Sequence, residues 1–296
     1  MIRHVTDIDD LTRDELADVL TRAEDLKERT RRGKAHPELA GSSLAMIFEK
    51  PSTRTRISFE TGMTQLGGHA LFLGPNDIQL GHGEPVKDTA RVLSRYVDAV
   101  MGRMFDHSDV TELAEYATVP VINGLTDDAH PCQTLADLLT IRERTGGFDA
   151  RVAWVGDGNN VCQSFIKGAA MTGMDLTVAT PAGYEPDPDV LDSAANLGGA
   201  PTLTDDPEEA VADADIVYTD VWVSMGQEDE RAEKLSAFGG FQVDADLLGD
   251  RTLMHCLPAH RGEEVTNAVL ESDRAAVWQQ AENRLHAQKG LLTSLL

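Results

Sequence analysis

Short apolar segments alternate along the chain with stretches in which apolar residues recur every three or four positions. The apolar segments predict strands at residues 44–48, 70–73, 99–101, 119–122, 151–155, 176–179, 216–219 and 252–255. Helical spacing dominates between them, for example at residues 87–97 and 109–116, and again near the C-terminus at 275–288. Such an alternation is typical of parallel sheets covered by helices.

The sequence therefore predicts an α/β fold of two domains, each a parallel sheet flanked by helices, with a C-terminal helix closing the chain. A glycine-containing segment at residues 145–149 divides the two halves. We expect domains over residues 1–145 and 146–274, with residues 275–296 packing back on the first domain. Ligands of open parallel sheets bind at the carboxyl ends of the strands, so the residues that follow the strands are the candidates for chemistry.

Composition adds a strong acidic charge to this fold. The 296 residues include 50 Asp and Glu against 26 Lys and Arg, which gives a formal net charge of −24, while the hydrophobic content of 41% is ordinary for a globular protein. A field of this sign repels phosphate backbones and acidic lipids, so we expect neither nucleic acid nor a membrane as a partner. The acidic excess is typical of salt-adapted proteins, and an ordinary acidic enzyme is the alternative.

Location in the cell is expected to be cytoplasmic. The sequence has no apolar run of the roughly 20 residues that span a bilayer, and its first residues lack the basic start and apolar stretch of a signal peptide. The cysteines Cys132, Cys162 and Cys256 are odd in number and far apart, which is typical of free thiols and not of a disulfide framework.

The most informative segment covers residues 48–60, where a predicted strand ends before a proline and a helix follows. Ser52 stands at the N-cap position, and Thr53, Arg54 and Thr55 fill the first turn. Backbone N–H groups, hydroxyls and a guanidinium at a helix N-terminus predict a phosphate site. A capped helix with a solvated basic turn is the structural alternative, but basic residues oppose the helix dipole at that end.

Histidines and cysteines after other predicted strands suggest further chemistry. His130 and Gln133 are expected in a loop before a helix at residues 134–142, although a lone histidine is more often structural. A zinc site is conceivable from His130, Cys132, His255 and Cys256. Their spacing matches no zinc-ligand pattern, and a nucleophilic pair of Cys256 with a histidine lacks an orienting partner.

The turn after the strand at residues 151–155 has the glycines Gly156 and Gly158 before a helix, as in dinucleotide-binding proteins. That motif needs a third small residue, where this chain has Val161. It also needs an acidic residue at the end of the next strand, where this chain has Thr180 and Pro181. A nicotinamide oxidoreductase is therefore a distant alternative.

Several motifs in a consistent order resemble the aspartate/ornithine carbamoyltransferase superfamily. They are Ser-Thr-Arg-Thr-Arg at 52–56, His-Pro-Cys-Gln at 130–133 and His-Cys-Leu-Pro at 255–258. The segments at 220–226 and 282–286 are similar to the ornithine branch. The resemblance implies transfer of the carbamoyl group of carbamoyl phosphate to the side-chain amine of L-ornithine, giving L-citrulline and phosphate without a metal or organic cofactor. The nearest alternative is the same chemistry on a modified ornithine or putrescine.

The resemblance also implies a role for individual residues and for the two domains, the first binding carbamoyl phosphate and the second ornithine. Carbamoyl phosphate would be bound by Ser52, Thr53, Arg54, Thr55, Gln79, Arg103, His130, Pro131, Cys132, Gln133, Cys256, Leu257 and Arg284. Ornithine would be bound by Asn160, Asp220, Ser224 and Met225, and the catalytic set would be Arg103, His130, Cys256 and Asp220. The family is built from trimers, so we expect a homotrimer or a multiple of it, with Gln79 reaching a neighbouring subunit's site.

Overall fold

A computed structural model describes residues 3–78, 80 and 83–296 of the chain. The chain divides into two compact units, one formed by Met1–Leu139 with Glu282–Leu296 and the other by Thr140–Ala281. None of the helices in these described stretches combines the length and the apolar character that crossing a bilayer requires.

The first unit is built on a parallel sheet of four strands in its described residues. The strands are β1 (Ser43–Phe48), β2 (His69–Leu73), β3 (Ala99–Arg103) and β4 (Val121–Leu125), in the order β2-β1-β3-β4. The helices that follow or precede them are α1 (Arg13–Arg31), α2 (Thr53–Gln65), α3 (Val86–Leu93), α4 (His107–Tyr116) and α5 (Pro131–Thr145). Helix α5 runs into the second unit.

The second unit is built on a parallel sheet of five strands. They are β5 (Arg151–Val155), β6 (Asp175–Ala179), β7 (Thr202–Thr204), β8 (Ile216–Thr219) and β9 (Thr252–His255), in the order β7-β6-β5-β8-β9. The remaining helices are α6 (Asn160–Thr172), α7 (Pro188–Leu197), α8 (Pro207–Val211), α9 (Arg231–Ala237), α10 (Ala245–Leu248), α11 (Asn267–Leu270) and α12 (Val277–Leu295). These sheets and helices confirm the predicted fold class.

The strands at the sheet centres are mostly apolar and almost entirely buried because helices cover both faces. All five residues of β3 are buried, as are five of the six in β1. In the second unit Trp154, Tyr218 and Phe165 form one aromatic cluster, with ring centroids 4.7 Å and 5.2 Å from Tyr218. The packing of these buried central strands holds their carboxyl ends in place, and the candidate residues lie at those ends.

Several predicted boundaries were wrong. Strand β4 begins at Val121 and not at 119, because Pro120 has no N–H to donate to a ladder. Helix α5 begins at Pro131, which is favourable at the first helical position, so Gln133 lies in a helical turn and not in a loop. Helix α3 ends at Leu93 and α12 extends to Leu295, and the edge strand β7 was not predicted.

Candidate functional site

The topology of the first sheet brings three of the predicted motifs to one edge. Strands β1, β3 and β4 are neighbours and parallel, so their carboxyl ends meet at the same edge. The segment that enters α2 follows β1, Arg103 is the last residue of β3, and His130 lies between β4 and α5. The backbone carbonyl of Arg103 also accepts the N–H of Glu49 at 2.9 Å, which joins the ends of β1 and β3.

The N-terminus of α2 has the features predicted for a phosphate site. Ser52 is its N-cap, and its Oγ accepts the backbone N–H of Thr55 at 3.2 Å. The first turn contains no acidic residue. Among the residues that the structure describes, none accepts a hydrogen bond from the backbone amides of Thr53 and Arg54. These two amides are the donors that a helix N-terminus offers to an anion.

The two arginines of this turn have different surroundings. Arg56 donates to Glu60 at 2.9 Å, and its guanidinium lies 3.8 Å from the centroid of the Phe72 ring. Arg54 forms no ion pair or side-chain hydrogen bond within the described part of the chain. Arg56 is therefore part of the packing of α2, whereas Arg54 is available to an anion.

Arg284 forms hydrogen bonds to the first turns of both α2 and α5. Its Nη1 donates to Gln133 Oε1 at 2.7 Å and its Nη2 to Thr55 Oγ1 at 3.0 Å, and the side chain is only 4% exposed. Gln133 in turn donates from Nε2 to Asp137 at 2.7 Å, which fixes the orientation of its amide. The structure thus brings together Thr55, Gln133 and Arg284, and adds Asp137, which sequence reasoning missed.

His130 is a neutral imidazole beside three guanidinium groups. Burial first, and then the positive charges of Arg284, Arg103 and Arg54, hold its pKa well below the ordinary value. A neutral ring near pH 7 still offers one N–H donor. The same three arginines make this region positive in a chain whose net charge is strongly negative.

Two of the three cysteines are buried thiols. Burial raises the pKa of Cys132 to about 12, and its Sγ donates to the backbone carbonyl of Asn123 at 3.4 Å. Burial, with the charges of Asp157 and Asp220, also raises the pKa of Cys162 well above its ordinary value. Both side chains stay protonated near neutral pH in the protein as it stands, so neither offers a reactive thiolate.

A second cluster lies at the carboxyl ends of the neighbouring strands β8 and β9. Asp220 follows β8 and is 5% exposed. Its Oδ1 accepts the thiol of Cys256 at 2.9 Å, and its Oδ2 accepts Nδ2 of Asn159 at 3.0 Å. Two side-chain donors thus orient a carboxylate that suits a cationic or amine ligand.

Asn159, which was not predicted, also caps α6. Its Oδ1 accepts the backbone N–H groups of Val161 and Cys162 at 3.0 and 3.1 Å. Asn160, the residue implied by the resemblance, is half-buried in the first turn of this helix. An asparagine directly before a helix is itself an N-cap signal, so Asn159 could have been found.

Ser224 and Met225 lie on the loop after β8, and Met225 is exposed. The backbone N–H of Ser224 donates to Gln227 Oε1 at 3.3 Å, and the buried Lys234 donates to the same oxygen at 2.9 Å. Lys234 also donates to Asp157 at 2.5 Å. The loop is therefore tied through a buried ion pair to the end of β5, a link that no local motif indicates.

The turn after β5 does not fit a dinucleotide. A Cβ on Gly158 would lie only 2.5 to 2.6 Å from backbone atoms of residues 184–186, so this glycine is required by the chain's own packing. The first amides of α6, which would bind a pyrophosphate, are already bonded to Asn159. Both observations count against the oxidoreductase alternative.

Two side-chain groups in the described part of the chain offer metal-ligand atoms within 4.8 Å of one another. They are Asp220, His255 and Cys256, and His260, Glu263 and Glu264. Both nitrogens of His255 form hydrogen bonds within the chain, and Glu263 pairs with Arg231. The hydrogen bonds of His255 count against a metal in the first group. In the second group, His260 Nδ1, Glu263 Oε2 and Glu264 Oε2 have no hydrogen-bond partner among the described residues. We assign no metal to either group. Gln79, which the resemblance assigns to carbamoyl phosphate, lies outside the described residues.

Comparison with known families gives a match over both halves of the chain. Residues 3–143 match the model described as the aspartate/ornithine carbamoyltransferase carbamoyl-P binding domain, and residues 149–295 match that of the Asp/Orn binding domain. The first match contains Thr55 and Gln133, to which Arg284 donates its hydrogen bonds. The second match contains Asp220, Cys256 and Arg284 itself.

Whole-length relatives carry one name. The chain is 67% identical to an ornithine carbamoyltransferase of Haloquadratum walsbyi, over 98% of this chain and 96% of the relative. It is 55% identical to that of Archaeoglobus fulgidus, over 100% and 98%. Among solved structures, it is similar to an ornithine carbamoyltransferase from Pyrococcus furiosus with a TM-score of 0.94 and 54% identity, over 98% and 96% of the two chains.

Proposed function

We infer that this chain, which belongs to the aspartate/ornithine carbamoyltransferase family, transfers the carbamoyl group of carbamoyl phosphate to the side-chain amine of L-ornithine, producing L-citrulline and phosphate. Whole-length relatives named ornithine carbamoyltransferase support this substrate pair. The observation that carries the function is the open N-terminus of α2 beside Arg284 and the neutral His130.

We propose that residues 1–145, with residues 275–296 packing back on them, form the carbamoyl phosphate-binding domain, and that residues 146–274 form the ornithine-binding domain. The phosphate would bind to Ser52, Thr53, Arg54 and Thr55 at the start of α2, where backbone donors and a guanidinium converge. Arg103 would bridge the phosphate and the carbonyl oxygen. The remaining ligands from this unit would be His130, Pro131, Cys132, Gln133 and Arg284, with Gln79 from a neighbouring subunit.

His130 is suited to stabilising the developing oxyanion. As a neutral imidazole it donates one N–H to the carbonyl oxygen without carrying a charge that would compete with the arginines. Arg103 and Thr55 supply further donors to the same oxygen. Losing one such donor typically costs about 3 kcal/mol of transition-state stabilisation, or roughly a hundredfold in rate.

The acceptor must react as a neutral amine. An amine with a lysine-like pKa of ~10.4 costs about 4 kcal/mol to deprotonate near pH 7.5. We propose that Asp220 and Cys256 orient this amine, while Asn160, Ser224 and Met225 bind the amino-acid end of ornithine. Backbone carbonyls of Cys256 and Leu257 would accept hydrogen bonds from the carbamoyl NH2 group. Attack of the amine nitrogen forms the C–N bond, the C–O bond to phosphate breaks, and the proton that the nitrogen gives up leaves with the phosphate as hydrogen phosphate.

Citrulline formation measured with purified protein tests the substrate pair. Carbamoyl phosphate should be the donor, and ornithine should give the highest kcat/KM in a panel with putrescine and an acylated ornithine. A higher kcat/KM for putrescine would contradict the acceptor assignment. Tight NAD binding by calorimetry would favour the oxidoreductase alternative instead.

We propose further that the enzyme acts in arginine metabolism, in the cytoplasm of a salt-adapted organism, as a homotrimer or a multiple of trimers. The three free thiols support a reducing compartment, and the net charge of −24 supports salt adaptation. Exposed apolar side chains on the first unit, Ile57 and Leu71 among them, support self-association. Light scattering of the purified chain in concentrated KCl should give three times the mass of one chain or a multiple of that.

A further inference from the structure

The loop after strand β9 is held by hydrogen bonds to His255, the residue at which the loop begins. His255 ends β9, and its Nε2 lies 3.0 Å from Oε1 of Glu264, nine residues further along the chain. His255 Nδ1 lies 2.9 Å from the backbone nitrogen of Leu257. The side chains of His255 and Glu264 are fully buried, so these bonds form away from solvent.

The bond to Leu257 fixes the tautomer of the imidazole. A backbone N–H can only donate, so His255 Nδ1 is the acceptor and carries no proton. The ring proton therefore lies on Nε2, where it donates to the carboxylate of Glu264. The same carboxylate oxygen accepts the backbone N–H of His260 at 2.6 Å, so Glu264 is itself held in place.

Leu257 has a backbone conformation that needs such support. Its φ of +61° lies in the left-handed region, which a residue with a branched side chain rarely adopts unless its surroundings hold it. The group that holds its N–H is His255 Nδ1. The preceding residue, Cys256, contacts Asp220 at 2.9 Å. The orientation of His255 therefore sets the direction of the 256–257 peptide beside Asp220.

We propose that Glu264 is a positioning residue for carbamoyl transfer: it fixes the tautomer and rotamer of His255, and His255 holds the 256–257 backbone against the reacting groups. The inference rests on the proposed function, in which this backbone accepts hydrogen bonds from the carbamoyl NH2 group. Glu264 touches no substrate in this scheme, so its effect on turnover passes entirely through His255.

Steady-state citrulline formation by three variants tests this role. Glu264→Ala should lower kcat roughly 10- to 100-fold with smaller changes in both KM values. A loss of this size is typical when the removed residue orients another residue of the site. Glu264→Gln should restore most of kcat, because its amide oxygen still accepts both N–H groups. Glu263→Gln is the matched control: it changes the neighbouring carboxylate, which pairs with Arg231, and should leave kcat unchanged.

Two further measurements separate positioning from simple support of the fold. Long-range 1H–15N spectra of histidine-labelled protein should show, in the wild type and in Glu264→Gln, a protonated Nε2 and an unprotonated Nδ1 at His255. In a chain that already has His255→Ala, Glu264→Ala should cause no further loss of kcat, because the two residues act in series.

The inference is overturned if Glu264→Ala keeps wild-type kcat, if Glu264→Gln loses as much as Glu264→Ala, or if Glu264→Ala lowers kcat further in the His255→Ala background. If Glu264→Ala does not fold, Glu264→Gln decides, and a protonated Nδ1 or a collapsed kcat in that variant overturns it. A wild-type chain that forms no citrulline would instead contradict the proposed function, while the His255 spectra would still report the tautomer.

Discussion

Replacing Arg284 by methionine should disable the carbamoyl phosphate site while leaving its shape largely intact. Arg284 is buried and donates to Gln133 Oε1 at 2.7 Å and to Thr55 Oγ1 at 3.0 Å. Methionine keeps an unbranched apolar stem but removes both bonds and the charge. Hydrogen bonds from a charged donor contribute about 1.5 to 3 kcal/mol each. Those two bonds are internal and contribute to stability; the fall in kcat/KM comes from losing a charged donor to carbamoyl phosphate, which costs about 3 kcal/mol, or roughly 100-fold.

The same substitution should change the titration of His130. Burial and then the charge of Arg284 are the largest causes of its lowered pKa. Without that charge, the pKa of His130 should rise towards its ordinary value, so the ring should gain its proton at a higher pH than in the wild type. Because the neutral ring is the proposed form, the acid limb of kcat/KM should move to higher pH in Arg284→Met.

Two measurements check these expectations in the same samples. Citrulline formation across pH gives kcat/KM and its acid limb, and the 13C-labelled imidazole of His130 can be titrated by NMR. Arg31→Met is the matched control, since Arg31 is an exposed arginine of the same unit that pairs with Glu282 at 3.3 Å. Near-normal kcat/KM in Arg284→Met, or an unchanged pKa of His130, would refute the role assigned to Arg284.

Three further outcomes are expected. Arg54→Gly should lower turnover on the order of 100-fold with an unchanged circular dichroism spectrum, and near-normal activity would contradict the phosphate site. Burial lowers the pKa of Lys289 to about 8, so between that pH and its ordinary 10.5 only the unfolded chain keeps the proton. The free energy of unfolding of the wild type, relative to that of Lys289→Met, should therefore rise between pH 7.5 and pH 9.5, by at most about 1.4 kcal/mol per pH unit. Urea unfolding at the two pH values measures this, and the same difference in unfolding free energy at both would refute it. Finally, the net charge of −24 predicts that Tm rises from dilute buffer to molar KCl, and an unchanged Tm would remove the salt-adaptation proposal.

The strands and the phosphate-binding turn could be predicted because their signals are local in sequence. Strand Arg151–Val155 is a short apolar run bounded by polar residues, and its observed limits are those predicted. The start of α2 follows from a serine after a proline, with periodic apolar residues behind it. By contrast, Thr202–Thr204 is an edge strand with mostly exposed side chains, so it lacks the burial pattern that the prediction relied on.

The remaining parts of the site depend on contacts between segments far apart in sequence. Arg284 reaches Thr55 across 229 residues, and only the resemblance to a family indicated its role. Lys234 reaches Asp157 across 77 residues, and no local motif pairs these two residues. Local spacing contains no information on such pairs, since it reflects which face of an element is buried and not what that face meets.

The acidic surface and the basic site are compatible because salt screens exposed carboxylates much more strongly than buried arginines. Most acidic side chains face solvent, where molar salt shortens the range of their repulsion to a few ångströms. Arg103 and Arg284 are only 7% and 4% exposed, so salt reaches their charges far less. The chain has 19 arginines and 7 lysines, and a guanidinium keeps its charge when buried and binds in a planar fork, as Arg284 does with Gln133 and Thr55. High salt should therefore relieve the repulsion of the surface while leaving the attraction of the first-unit site for phosphate largely intact.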